Sequence, residues 1–90
     1  MTREEVLQAA SVIITHDRNQ DYGEPENNFQ TIADFWNIYL KTDKITAEDV
    51  GNMMVLFKMA RIMAGGKDDS YIDIAGYIAC ACECHKDKTD

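Results

Sequence analysis

"ITAEDVGNMMVLFKMARIMAGG", residues 45–66, is the stretch that decides the fold of this 90-residue chain. Thr46 and Asp49 have the spacing of a capping box, and Ile45 just before the cap can pack on Val50 as a hydrophobic staple. The helix that follows is apolar on most of its circumference and ends at the two glycines. We expect this helix, the third of the chain, to be the central and most buried one.

Two helices are predicted before this stretch. Thr2 and Glu5 form another capping box, which predicts helix one over residues 2–15. Pro25 suits a first helical position, where its missing N–H group costs no hydrogen bond, and apolar residues follow it at helical spacing. Helix two is therefore expected to run from Pro25 to about Lys41.

A fourth helix is predicted after the two glycines. Its cap is expected to be one of three consecutive polar residues, namely Asp68, Asp69 and Ser70. It should run through "YIDIAGYIACACECH", before a charged tail at residues 86–90 that is expected to fray. Because the sequence lacks a period-two strand pattern, we predict one all-α domain of four helices over residues 1–90.

Composition narrows the classes of function. The net charge of −7 and the pI of about 4.6 disfavour binding to duplex nucleic acid, which requires a basic surface. No apolar run reaches the roughly 18 residues of a membrane span, and the N-terminus lacks the pattern of a secretory signal. We expect a cytoplasmic protein.

The size of the chain predicts self-association. A 90-residue domain has a small core, and the apolar circumference of helix three exceeds what three partner helices cover readily. Phe35, Trp36 and Tyr39 add further apolar surface. We therefore expect a homodimer or a higher even-numbered oligomer.

The three cysteines, in "CACEC", fit neither a disulfide framework nor a zinc motif. On a helix, Cys80 and Cys84 share one face and Cys82 points away. We interpret them as reduced thiols of the core or of an interface.

Helix four carries a stripe that combines carboxylates with small and aromatic residues: Asp69, Asp73, Gly76, Tyr77 and Cys80. Two carboxylates one turn apart require a cation, a basic side chain or solvent nearby. A glycine inside a helix costs about 1 kcal/mol relative to alanine, which indicates close approach of another helix or a ligand at Gly76. Tyr77 is a candidate ligand contact. The alternative is that Asp69 only caps the helix and Asp73 only complements its dipole.

Helix three carries Asp49 and Asn52 near its start, and Lys58 and Arg61 one turn apart further along. Long basic side chains on an apolar helix can reach water without any ligand. The alternative is that Lys58 and Arg61 bind phosphate, which arginine recognises in bidentate fashion.

The connection between helices one and two, "DRNQDYGEPENNFQ" at residues 17–30, is rich in polar groups. The unsatisfied N–H groups around Glu26 and Asn27 could meet a base, a ribose or a phosphate. Tyr22 could stack on a base, and four polar residues could recognise polar groups of the ligand: Arg18, Asp21, Asn27 and Asn28. The alternative is that these polar side chains only satisfy turn backbone.

These motifs carry a resemblance. The runs "DYGEPENNF", "ITAEDVGNMMVLFKMAR" and "DDSYIDIAGY" resemble a group of small phage and prophage proteins of unassigned function, over residues 16–83. The helical layout is more remotely similar to the MazG-like all-α nucleoside triphosphate pyrophosphohydrolases, which hold magnesium between two pairs of acids.

That second resemblance implies a MazG-like arrangement of helices and a metal site. Asp49 and Asp73 match acids of that family, with Asp69 or Glu48 as possible substitutes, so the implied ligands of Mg²⁺ are Asp49, Asp69 and Asp73. Asn52 and Ser70 stand where that enzyme family has carboxylates, which weakens the case for hydrolysis more than the case for a nucleotide pocket.

Three functions remain open from the sequence. The first is a phage-type protein that sequesters a nucleotide or a nucleotide-derived defence signal without hydrolysis. The second is a magnesium-dependent pyrophosphohydrolase of a nucleoside triphosphate, and the third is an adaptor that binds another protein.

Overall fold

The computed structural model describes residues 1–17 and 24–85, and the predicted tail at 86–90 lies outside these ranges. The described residues form four α-helices: α1, Arg3–Val12; α2, Pro25–Leu40; α3, Ala47–Met63; and α4, Asp68–Cys84. They contain no strand, which confirms the all-α class. None of the described helices is both long enough and apolar enough to cross a membrane.

Both predicted capping boxes are confirmed. Thr2 Oγ1 accepts a hydrogen bond from Glu5 N at 3.1 Å, and Thr2 N donates to Glu5 Oε1 at 2.8 Å. The same reciprocal pair joins Thr46 and Asp49, at 2.9 and 3.1 Å. The hydrogen bonds from Thr2 hold the pKa of Glu5 below its ordinary value of 4.5, and the bond from the backbone of Thr2 has a larger effect than the bond from its side chain.

Helix one differs from the prediction at its C-terminal end. The α-helical geometry stops at Val12, and Ile13–Asp17 continues as a π-helical segment. Four β-branched residues, "VIIT" at 12–15, lie where the α-helix changes to a π-helix, and β-branched side chains crowd the preceding turn of an α-helix. The wider π-helical turn brings Ile14 against α4, where its Cγ2 would lie 3.0 Å from a Cβ at Gly76. The close approach that was expected at Gly76 is therefore confirmed.

The predicted cap of α4 is wrong. Lys67 is the N-cap residue, and its side chain makes no capping hydrogen bond. The helix α4 begins at Asp68, one residue earlier than a cap at Asp68 would allow, so Asp68 and Asp69 both lie in its first turn. Their carboxylates then complement the helix dipole there, while Ser70 is buried in the fold.

The expectation that helix three is central is also wrong for the single chain, because α4 contacts α1, α2 and α3. Six residues of α4 are buried and five of them are small: Ser70, Ile72, Gly76, Cys80, Ala81 and Cys84. Small side chains let neighbouring helices pack closely on several sides. In α3 only Ala47, Val50 and Gly51 are buried, because apolar residues surround this helix and the other described helices cover only part of its circumference.

The core lies where α2, α3 and α4 meet. Phe29, Val50, Cys80 and Cys84 are fully buried there, and Trp36 packs against them. Cys80 and Cys84 are buried on one face of α4 and Cys82 is exposed, as the helical spacing predicted.

Candidate functional site

Lys58 and Asp73 form an ion pair between α3 and α4, with Lys58 Nζ 3.0 Å from Asp73 Oδ2. Both side chains are partly buried, so solvent screens the pair less than it screens an exposed one. Of the three partners considered for the carboxylates of α4, namely a cation, a basic side chain and solvent, the structure shows a basic side chain, Lys58, beside Asp73. A lysine that already pairs with a carboxylate is less available to phosphate than a lysine with no such partner.

All residues of the stripe on α4 except Asp69 line a cavity beside α1 and the π-helical segment. Its lining residues are Ala10, Ile13, Ile14, Ile72, Asp73, Gly76, Tyr77 and Cys80. The cavity volume of about 40 Å³ has room for one or two waters and none for a nucleotide. Tyr77 also packs near Phe29, with ring centroids 6.4 Å apart, so the environment of its ring is the protein interior.

A larger cleft, which we call the junction cleft, lies where α3 gives way to α4. It has a volume of about 490 Å³ and is lined by Arg61, Ala64, Gly65, Gly66, Lys67, Asp69 and Ser70. Arg61 is exposed, and within residues 1–17 and 24–85 it makes no ion pair. Gly65 has a φ of 95°, a left-handed conformation that permits the tight turn into Lys67. The junction cleft therefore combines two basic side chains with a helix start that lacks a side-chain cap.

A cleft that is larger than the junction cleft has the opposite charge. It measures about 620 Å³ and lies between α2 and the start of α3. Asp34, Asp43 and Glu48 line it, without any lysine or arginine among its lining residues. A phosphate would be repelled there, so the junction cleft is the better candidate for an anionic ligand.

The three carboxylates predicted to bind magnesium are not brought together. Gly51 packs on Ala81 and Lys58 pairs with Asp73, so α3 and α4 run antiparallel. Asp49 consequently lies beside the end of α4 and Asp69 at its start, about 20 Å away along the helix pair. Asp49 also serves the capping box of α3. The spacing of the two motifs in the sequence does not reveal this register.

A different group of three carboxylates was missed by the sequence analysis. Oxygen atoms of Glu24, Glu26 and Glu83 lie within 4.8 Å of one another. Glu26 Oε1 is buried and has no hydrogen-bond partner among the described residues. Glu24 and Glu26 flank the start of α2, but Glu83 is distant in the sequence, so no spacing pattern could have identified the group.

The predicted polar mouth is only partly described. Arg18, Asp21 and Tyr22 lie outside the described residues. Asn27 is exposed and Asn28 half-buried at the start of α2, and their backbone N–H groups both donate to Glu24 O at 3.1 Å. The N–H group of Asn27 is thus not free for a ligand, because the first turn of α2 already uses it.

Comparison with known proteins gives one family and two relatives. Residues 5–85 match the model of a domain of unknown function, DUF6378. The "Gene 55 protein" of Mycobacterium phage L5 is 44% identical over 73 residues, and that of Mycobacterium phage D29 is 41% identical over 78 residues. The alignments cover 80% and 86% of this chain but 47% and 51% of the relatives, so the chain spans about half the length of the curated relatives it matches. No solved structure matches.

Proposed function

The chain belongs to the DUF6378 family, and we propose that it binds a nucleotide or a nucleotide-derived signal without hydrolysing it, with the ligand phosphates in the junction cleft. The observation that carries this proposal is the position of Arg61. It is exposed, it has no carboxylate partner among the described residues, and it lines the same cleft as Lys67. The similarity to phage proteins is consistent with a role in sequestering host defence signals, and we place this activity in the host cytoplasm.

The backbone of the junction cleft supports the same assignment. The start of α4 lacks a side-chain cap, and the positive end of its dipole adds to the two basic side chains. Gly65 and Gly66 have no side chains that would keep a phosphate away from the backbone. Asp68 and Asp69 in the first turn oppose a bare anion, so we propose that the ligand enters as a magnesium complex.

Asp69 is the residue that we assign to this magnesium ion. Magnesium is usually held by one or two carboxylates together with the phosphates of its nucleotide. Asp69 lines the cleft beside Arg61 and Lys67, so its carboxylate and the phosphates could share one ion. Asp49 has no part in this proposal because it lies at the other end of the helix pair.

Sequestration is favoured over pyrophosphohydrolysis by the distribution of carboxylates. Two-metal activation of water uses ions about 4 Å apart. Among the described residues, the acidic group of Glu24, Glu26 and Glu83 lies by the end of α4, about 20 Å from Asp69 at its start. A phosphate in the junction cleft would therefore have one nearby carboxylate pair and no second cluster.

The test is to incubate the purified protein with a mixed nucleotide pool and magnesium, and then to analyse the ligand released on denaturation. Recovery of an intact nucleotide supports sequestration. Release of pyrophosphate would favour the hydrolase, and recovery of no ligand would favour the adaptor. The variant Arg61→Ala should recover no nucleotide, whereas Lys44→Ala, which removes an exposed lysine outside the cleft, should behave as the unmodified protein.

A further inference from the structure

The outer face of α3 is an apolar stripe that no other described helix covers. Met53, Leu56, Phe57, Ala60 and Met63 lie on it at helical spacing, opposite the buried face of Ala47 and Gly51. Leu56 is 68% exposed and Met63 is 86% exposed. We name this surface the outer stripe. Its period matches the apolar seam of a helix that packs against a second helix.

The charge around the outer stripe restricts what can cover it. The chain has 16 acidic residues, yet residues 50–67 contain none. Two copies of an acidic chain repel each other over most of their surfaces. The outer stripe is a surface on which two copies can approach without opposing carboxylates.

The acidic residues of α3 are confined to its first turn. Glu48 and Asp49 lie there, and residues 50–67 contain no acidic residue. When two such helices lie antiparallel, the acidic first turn of each meets the acid-free end of the other, and their dipoles also oppose favourably. A parallel pair would place acid against acid. The stripe is therefore complementary to a second copy of itself in one orientation.

We propose that a second copy of the chain covers the outer stripe, with the two α3 helices packed antiparallel about a twofold axis. Each copy contributes the same surface, as an isologous interface requires. This inference is independent of any ligand, because it depends only on the outer face of α3.

Sedimentation equilibrium of the unmodified protein and of Leu56→Glu tests the interface. We expect the unmodified protein to have twice the 10.2 kDa mass of the chain, and Leu56→Glu to have the single mass. The matched control is Leu7→Glu, since Leu7 is 64% exposed on α1, which does not contact α3; it should remain dimeric. Leu56→Gln, measured alongside with helical content by circular dichroism, keeps the test valid if the glutamate variant fails to fold.

Cross-linking tests the orientation. Met53→Cys and Met63→Cys are made separately in a Cys82→Ser background, which removes the exposed native thiol, and the two proteins are mixed and oxidised. An antiparallel pair should give the 53–63 disulfide in preference to 53–53 and 63–63.

Three results would overturn the proposal. These are a monomeric unmodified protein, a Leu56→Glu variant that remains dimeric while Tyr39→Glu on α2 dissociates, and cross-links that join identical positions.

Discussion

Gly51 is the single residue that sets the distance between α3 and α4. A Cβ atom on Gly51 would lie 2.7 Å from Ala81 Cβ and 3.2 Å from Phe29 Cε2. The first of these distances is one that real Cβ atoms do not adopt, and the opposing methyl group is attached directly to the backbone. The helices can approach closely only because this position has no side chain.

Replacing Gly51 with alanine should therefore destabilise the protein, although alanine is the better helix former by about 1 kcal/mol. We expect the free energy of unfolding to fall by about 1–3 kcal/mol, as in other overpacked cores. Urea denaturation measures this change. In the double variant Gly51→Ala/Ala81→Gly the clash is removed, so its loss should be smaller than the sum of the two single losses. Strict additivity would show that the two residues do not limit the approach of the helices.

The side chain of Asn37 holds two elements together, α2 and the start of α3. Its Nδ2 donates to Ile45 O at 3.0 Å, and its Oδ1 accepts from Ile45 N at 2.9 Å. Lys41 ends α2 in the left-handed conformation, and Thr42 N donates back to Asn37 O at 3.0 Å. One side chain thus satisfies both backbone groups of the residue that precedes the cap of α3.

Asn37→Ala should lower the free energy of unfolding by about 1–3 kcal/mol, because both partly buried backbone groups of Ile45 lose their partners. The control is Gln30→Ala, since Gln30 bonds to Asp34 within α2 on its exposed surface; it should change stability by less than about 0.5 kcal/mol. Chemical denaturation of both variants gives the comparison. An equal effect of the two substitutions would show that the connection contributes nothing of its own.

The capping box of α1 should respond to pH. The pKa of Glu5 is lowered in the folded chain, so its contribution is fully present above pH 4.5 and is lost as the pH falls through the lowered pKa. Glu5→Gln keeps the hydrogen-bond acceptor without the titration. The difference in melting temperature between the unmodified protein and Glu5→Gln should therefore shrink below pH 4.5. A difference that stays constant across this pH range would show that the hydrogen bonds from Thr2 do not hold the pKa of Glu5 below its ordinary value.

The elements that local sequence determines were predicted well, and those that depend on packing were not. Both capping boxes and the start of α2 at Pro25 depend on residues within one turn, so their spacing reveals them. The centrality of α4 depends on which faces other helices cover. Within the candidate site, Lys58 and Arg61 were identified by residue type, but the pairing of Lys58 with Asp73 depends on the antiparallel register of α3 and α4.

Ligand binding should raise the thermal stability of the whole protein. A ligand at 100 times its dissociation constant stabilises the folded state by about 2.7 kcal/mol, which corresponds to a rise of roughly 10–20 °C in the Tm of a domain of this size. We expect this rise with the magnesium complex of the recovered nucleotide. In Arg61→Ala the rise should be absent, while the Tm without ligand should stay near that of the unmodified protein because Arg61 has no ion-pair partner among the described residues. A large loss of Tm in the ligand-free variant, with nucleotide binding unchanged, would contradict the phosphate role.

The position of α4 also constrains how the chain can acquire its structure during synthesis. Of the four described helices, α1 is translated before α4, yet α1 packs on α4 and on the π-helical segment that follows α1. Until residues 68–84 leave the ribosome, no other described α-helix offers α1 a surface on which to bury its apolar side, and an isolated helix of 10 residues is marginal in water. Helix α1 therefore has to wait for α4, and we expect the packing of these four helices to form after translation of α4 rather than element by element.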